Sequence, residues 1–542
     1  MGSSNFLEKH TLRKVTCFQD GVHFPLASNI SYMIYLLDME PNDQQKIGLF
    51  IKKLREERGM TQGEFSKKLK TSQSAVARIE SGNQNVTIEQ LMKMSEVLEH
   101  NIVSIQNTLD FKVEGGRKLK GSIATNTSKN GAVNMMVASL VNSGTTTLRD
   151  IPRIEEVHRY KELLESVGVK IRWTHDDTAL EITPPVKLTL SKMNKPVAEK
   201  IRSFTFAGAF IHFSTSFTLP HSGGCKMGER TVASHKYALD YLGVQVVTKE
   251  NHYEIAHSEL KPGVIPLYES SDTGAITALI AASKIEGITV IKFAPPNYQV
   301  QDVCFLLESF GIKIDGIGTT TLTVHGKKEI NCSVEHYNSE DPIESMFFIS
   351  AGIVTKSKLT ITRCPIEFLT LELEKLKRMG LQYKETKPYL AKNGKTSLVD
   401  ITVFPSHIIA PHDKIHAQPF PGMNMDNLPF FVPIACVAEG QTLIHDWVYE
   451  NRAIYFTELN RLGADIKLLD PHRALVTGVK SLRGAQIVSP PALRPTAIIL
   501  IAMLAASGSS LLRNVYSIKR GYADIAERLN SIGAKVTVLR GV

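Results

Sequence analysis

The chain is 542 residues long, 43% hydrophobic and 22% charged, with a formal net charge of +9. So long a chain needs more than one core, and its composition is that of a soluble globular protein of two or more domains; the thinly spread charge permits an anionic partner without identifying one. The six cysteines, Cys17, Cys225, Cys304, Cys332, Cys364 and Cys436, stand far apart with no CxxC pair, which argues against a zinc ribbon or a disulfide framework and fits a reducing cytosol.

The N-terminal MGSSNFLEKHTLRK lacks the apolar run of a secretory signal and the Ser or Thr that myristoylation expects. Residues 1–44 show no firm period; SYMIYLLDM (31–39) suits a short helix or a strand. The longest apolar runs, such as AIILIAMLAA (497–506), are about half a membrane span, so a cytoplasmic location with no membrane partner is expected.

From Gln45 the helical period is clear. IGLFIKKLREERG repeats apolar residues at Ile47, Phe50, Ile51 and Leu54 and stops at Gly59. Thr61 is placed to cap a second helix carrying Phe65 and Leu69. SQSAVARIESG predicts a third, closed by Gly82, and TIEQLMKMSEVLEH a fourth with Ile88, Leu91, Met94 and Leu98 on one face. The residues R-x-x-R-G-M-T-Q (55–62) and S-Q-S-A-V-A-R-I-E-S-G (72–82) resemble the lambda-repressor-like, XRE-type helix-turn-helix family. The resemblance implies an all-α DNA-binding domain over 45–107, a third helix in the major groove, and Gln62, Gln73, Ser74 and Arg78 facing double-stranded DNA. Ten Lys/Arg against seven Asp/Glu over 45–107 give that region the matching sign. A helical bundle for protein contacts is the plainer alternative, and a homodimer fits a reader of two half-sites.

Beyond about Asp110 the pattern alternates strands with helices. One unit recurs six times: a helix with Leu inside, a glycine, then a short β-branched strand. The copies are ELLESVGVKI, YALDYLGVQVV, LLESFGIKI, LEKLKRMGLQY, LNRLGADIKL and RLNSIGAKVTV, with Gly168, Gly243, Gly311, Gly380, Gly463 and Gly533 at the turn. Such units bury an apolar face only against one another, so two globules of three copies each are expected.

These units and their flanking segments resemble the enolpyruvyl transferase family, most nearly its UDP-N-acetylglucosamine 1-carboxyvinyltransferases, over about residues 111–541. FKVEGGRKLKGSIATNTSKNGAVNMMVASLV (111–141) is similar to the family's G-G-x-x-L-x-G…K-N-A segment, with Lys129 and Asn130 at matching places. PHSGGCKMGERTVASH (220–235), PGMNMD (421–426), ENRAIYFTELNRLGA (450–464), LRPTAIILIA (493–502) and IKRGYADI (518–525) follow in family order. The resemblance implies an α/β fold over 108–542, an inside-out α/β barrel of two globules and six units. It also implies transfer of the enolpyruvyl group of phosphoenolpyruvate to a hydroxyl of UDP-N-acetylglucosamine, for peptidoglycan, with no cofactor.

Phosphoenolpyruvate carries a phosphate and a carboxylate, so its site needs fixed cations. By resemblance Lys129, Arg230 and Arg520 grip it, with Arg452 and Arg494 nearby and Asn130 and Arg202 also binding substrate. Cys225 matches the mobile-loop cysteine that donates a proton, and Lys226 and Arg230 beside it favour its thiolate. Asp426 matches the acceptor's base. Taken singly, each arginine reads as a solvated charge, Cys225 as a buried thiol, and His235 as a core, surface or substrate-facing histidine. No cluster has metal-ligand spacing.

The departures from the family concern the acceptor. Ala233 stands where an aspartate reads uracil, Glu269 and Asp272 lie in the loop that lines a diphosphate, Pro342 replaces a common arginine, and Ala492 replaces an acidic residue. LPHSGGC is longer than the usual LPGGC. A related nucleotide or sugar acceptor is therefore open, as is a transcriptional regulator whose transferase-like part only senses a ligand.

Overall fold

A computed structural model of the chain describes residues 41–98, 109–174, 178–221, 223 and 231–540. It divides into two units between Asn107 and Thr108.

The first unit is helical: α1 (Pro41–Glu57), α2 (Gln62–Leu69), α3 (Gln73–Glu80) and α4 (Ile88–Val97). Proline suits the first turn of α1, where its missing N–H costs nothing, so the helix starts four residues before the period becomes clear. Thr61 closes a capping box on α2: its hydroxyl accepts from Glu64 N–H at 3.2 Å, and the Glu64 carboxylate accepts Thr61 N–H at 2.8 Å. Ser72 caps α3 by accepting from Ala75 N–H. Ile51, Leu54, Phe65, Val76, Ile79, Leu91, Met94 and Leu98 make the core. Inside it Arg55 Nε donates to Glu80 Oε1 at 2.6 Å, tying α1 to α3.

In the second unit every expected repeat glycine is left-handed: Gly168, Gly243, Gly311, Gly380, Gly463 and Gly533 have φ of +101°, +88°, +81°, +98°, +86° and +95°. Each ends a helix and feeds an outer strand of its own sheet. These strands are Lys170–Thr174, Val244–Thr248, Lys313–Asp315, Tyr383–Glu385, Asp465–Asp470 and Val536–Arg540. Four of them pair antiparallel with the next strand, and Tyr383–Glu385 pairs antiparallel with Ser397–Val403, beyond the short strand Tyr389–Leu390. The sixth pairs with Leu109–Glu114, Phe111 opposite Val538, so the start of the unit completes its end.

The six sheets gather around two cores. One core runs from Ala132 to Ile330; the other takes Phe111–Ile123 and Ile343–Val536. Helices lie inside: Pro342–Val354 is buried throughout, Asp272–Ser283 from Gly274 onward, and Leu493–Ala505 through Leu504. The apolar run at 497–506 is thus core, and no described helix is long and apolar enough to cross a membrane.

The chain passes between the globules twice. Ser122–Ala124, before the first passage, pairs parallel with Leu359–Pro365, while Val334–Tyr337, before the return, pairs parallel with Thr146–Arg149. The two passages bridge each other at Thr127 and Glu340. In each globule, therefore, the strand laid down just before the chain leaves becomes an edge of a sheet in that same globule.

Candidate active site

The first passage delivers the site. Ser128 caps the helix Lys129–Ala138 by accepting from Gly131 N–H at 2.9 Å, which fixes Lys129 and Asn130 at its N-terminus. Asn130 Nδ2 donates to Tyr298 Oη at 2.9 Å. The same globule supplies Glu156 on the helix Glu155–Ser166 and Arg202 just before the turn Ser203–Phe206. The other globule supplies Asp426, Arg452, Arg494 and Arg520. Arg520 Nη2 meets Glu156 Oε2 at 2.9 Å, an ion pair between the globules. Arg494 Nη2 lies 3.6 Å from Asp426 Oδ2, and its Nη1 donates to Tyr522 Oη at 3.0 Å.

Burial opposes the charge on Lys129 and holds its pKa below the usual lysine range, with Glu156 pulling up and Arg202, Arg494 and Arg520 pushing down. Among the described residues no carboxylate lies within ion-pair distance of Lys129. Burial also pushes Glu156 and Asp426 up, but the cations outweigh it. Lys129, Arg520 and Arg202 hold Glu156 low, and Arg494, Arg452, Arg202 and Lys129 hold Asp426 low. For Arg202 and Arg494 burial is likewise outweighed, with Asp426 among the groups that hold both charged. Both acids are therefore ionised at neutral pH among cations that face them from two globules.

Arg452, expected among the substrate-binding cations, is held among protein groups in this structure. It is fully buried, grips Asp446 through Nε and Nη2, and donates from Nη2 to Met425 O at 2.7 Å. Its Nη1 has no hydrogen bond and stands 3.8 Å from Asp426 Oδ1. It positions the Met425–Asp426 turn from within. Cys225 and Arg230 lie outside the described residues.

A cleft of about 520 Å³ opens at this cluster, lined among others by Asn130, Arg202, Thr231, His235, Asp426 and the aromatics Trp447 and Tyr449. Burial first, then Arg202, pushes His235 down to about 4, so it is neutral. Its Nδ1 and Nε2 bond the Thr277 and Thr273 hydroxyls at 2.8 and 3.1 Å. Burial also lifts the described thiols: Cys364 and Cys436 to about 12, with Cys304 and Cys332 raised as well. Among the described residues no group of three or more His, Cys, Asp or Glu side chains suits a metal. Sequence reasoning missed Glu156, Asp446, Tyr298, Trp447 and Tyr449; the one available signal was Trp447 and Tyr449 directly before the Glu450–Arg452 motif.

In the helical unit Gln73, Ser74 and Arg78 are exposed on α3. Arg78 Nε donates to Gln84 Oε1 at 3.0 Å, and the hydroxyls of Ser72 and Ser74 are 3.0 Å apart. Gln62 is half-buried and donates to Glu80 Oε2 at 2.9 Å.

Paired three-sheet globules with a cationic cluster at their shared cleft define an anion-handling α/β enzyme. The chain belongs to the EPSP synthase (3-phosphoshikimate 1-carboxyvinyltransferase) family of enolpyruvyl transferases, whose model matches residues 104–529, and a helix-turn-helix model matches 51–99. It is 33% identical over 430 residues to the UDP-N-acetylglucosamine 1-carboxyvinyltransferase of Treponema denticola, covering 79% of this chain and 98% of that one. The enzyme of the same name from Bradyrhizobium diazoefficiens is 32% identical over 429 residues, 79% of this chain and 97% of that one. In fold it resembles the enolpyruvyl transferase NikO of Streptomyces tendae, with a TM-score of 0.68 at 22% identity, over 80% of this chain and 99% of that one. EPSP synthase from Acinetobacter baumannii gives a TM-score of 0.62 at 19% identity, over 80% and 100%.

Proposed function

We propose that the chain transfers the enolpyruvyl group of phosphoenolpyruvate to a hydroxyl of UDP-N-acetylglucosamine or a related nucleotide or sugar, releasing phosphate, and that its helical unit binds double-stranded DNA. The convergence of Lys129, Arg202, Arg494 and Arg520 from two globules onto the carboxylates Glu156 and Asp426 carries the reading. Lys129, with no carboxylate within ion-pair distance among the described residues, is a cation ready for phosphate.

Chemically, Cys225 gives its proton to C3 of phosphoenolpyruvate while the acceptor oxygen bonds to C2 and its hydroxyl proton goes to Asp426. The resulting ketal loses phosphate as the C2–O bond breaks, and a proton leaves C3 to restore the enol ether. Asp426, held low by arginines, is a weak base until substrate arrives. The phosphate and carboxylate of phosphoenolpyruvate compete for those arginines, so binding raises the carboxylate's proton affinity when it is needed. Thr231, the first described residue after Arg230, lines the cleft.

Phosphate release from phosphoenolpyruvate plus UDP-N-acetylglucosamine and related acceptors tests this. Lys129→Ala should lower kcat/KM for phosphoenolpyruvate by about a hundredfold or more, the scale of one lost charged transition-state contact. Absence of release with every acceptor, alongside specific DNA binding, would favour a regulator with a ligand-sensing domain. For DNA, exposed Arg78 on α3 predicts a promoter-fragment shift that weakens steeply with salt and is lost in Arg78→Ala. A shift indifferent to both would contradict the DNA reading.

A further inference from the structure

The charged lining of the cleft is lopsided. Among the described residues it contains one cation, Arg202, and four carboxylates, Glu269, Asp272, Asp426 and Glu450. Asp426 has Arg494 and Arg452 beside it. Among the described residues Glu269, Asp272 and Glu450 have no basic side chain within ion-pair distance.

Asp272 is held where it stands, because its Oδ2 accepts from Asn297 Nδ2 at 2.9 Å and from Gln299 Nε2 at 2.5 Å. It also opens the helix Asp272–Ser283, whose N-terminus faces the same cleft wall. A bare helix N-terminus carries about half a positive charge and draws phosphates. Here Ser271 Oγ already takes the Gly274 N–H at 3.2 Å, and the full negative charge of Asp272 exceeds the dipole. Burial lifts Asp272 to about 6, which leaves it mostly ionised above neutrality. The wall that a helix N-terminus would make attractive to a diphosphate is repulsive instead.

We propose that the acceptor meets the Glu269–Asp272 wall with an uncharged or cationic, hydroxyl-bearing group and places no diphosphate there. Naming that ligand an acceptor rests on the transferase reading above. Glu269 and Asp272 are then specificity residues that select against the added charge of a nucleoside diphosphate.

The chain has two tryptophans, and Trp447 lines the cleft, so its emission reports occupancy. Uridine and UDP are titrated into the full chain at saturating phosphoenolpyruvate, and again into E269Q and E269Q/D272N. The expected result is that UDP binds no tighter than uridine to the unmodified protein and gains at least tenfold in the double variant. E269Q, at an exposed position that leaves the fold intact, should move the same way by less. Tighter binding of UDP than of uridine to the unmodified protein overturns the proposal. So does the absence of any UDP gain in both variants. Phosphate release in parallel samples separates the two claims: its absence with every acceptor sinks the transferase reading, while the ratio of UDP to uridine binding still decides what the wall selects.

Discussion

Behind the first turn of the Lys129 helix, two buried oxygens, Asp302 Oδ2 and Asn338 Oδ1, have no donor. Both crowd Gly131: a Cβ there would lie 2.5 Å from the first and 2.8 Å from the second. Asn338 Nδ2 is committed to Ser128 O at 2.9 Å, and Asp302 Oδ1 accepts from Ser339 Oγ at 2.6 Å. Two unpartnered acceptors on the same glycine favour a neutral Asp302 carboxyl, whose O–H replaces a charge with a donor. Burial, aided by Glu340 and Asp341, pushes Asp302 up to about 7. An unfolded aspartate titrates near 3.9, so the unfolded chain gives up this proton first, and stability attributable to Asp302 falls between about pH 4 and pH 7. Asp302→Asn provides a permanent N–H toward Asn338. The variant should match the wild type at pH 4.5 and melt a few degrees higher at pH 8; a difference independent of pH would refute the neutral carboxyl. None of this was legible in the sequence, where Asp302 is one acid in an apolar helix. Lys129, Arg202, Arg494, Arg520 and Asp426 were legible only by family resemblance. Their partner Glu156 looked like a surface glutamate on an amphipathic helix, and nothing local announces that the opposite globule buries it.

The helix–glycine–strand elements were the most legible part of the fold, because their cause is local. A helix that must stop and turn into a strand uses a left-handed residue, and glycine alone takes that conformation without strain. The cost of losing it separates into two parts. At Gly168 an added Cβ meets nothing closer than Pro185 Cγ at 3.8 Å, so Gly168→Ala should cost only the backbone strain, about 1–2 kcal/mol. At Gly243 the Cβ would also stand 2.6 Å from Glu259 O, so Gly243→Ala should cost more. Denaturant unfolding midpoints check the order, and equal costs would contradict it. In the helical unit Thr61 and the glycines after α1 and α3 were readable for the same local reason. Inward-turned Gln62 was not, because its partner Glu80 is eighteen residues away.

At the scale of the molecule, two globules were foreseeable from six copies, but their lacing was not. The pairing of Leu109–Glu114 with Val536–Arg540 and the return pairings of the edge strands laid down before each passage join residues hundreds apart, and a pattern of alternating polarity carries no record of partner. That lacing nevertheless makes the site, since it sets Lys129 and Glu156 of one globule against Arg494, Arg520 and Asp426 of the other. The central claim is that this meeting place adds a proton to C3 of phosphoenolpyruvate and later removes one. Turnover with an acceptor in D₂O therefore tests it most directly. The account predicts deuterium in the product's enol methylene, with one phosphate released per acceptor modified and both lost in Asp426→Asn. An enolpyruvyl product without deuterium at C3, or phosphate released with labelled pyruvate and no modified acceptor as simple hydrolysis would give, contradicts it.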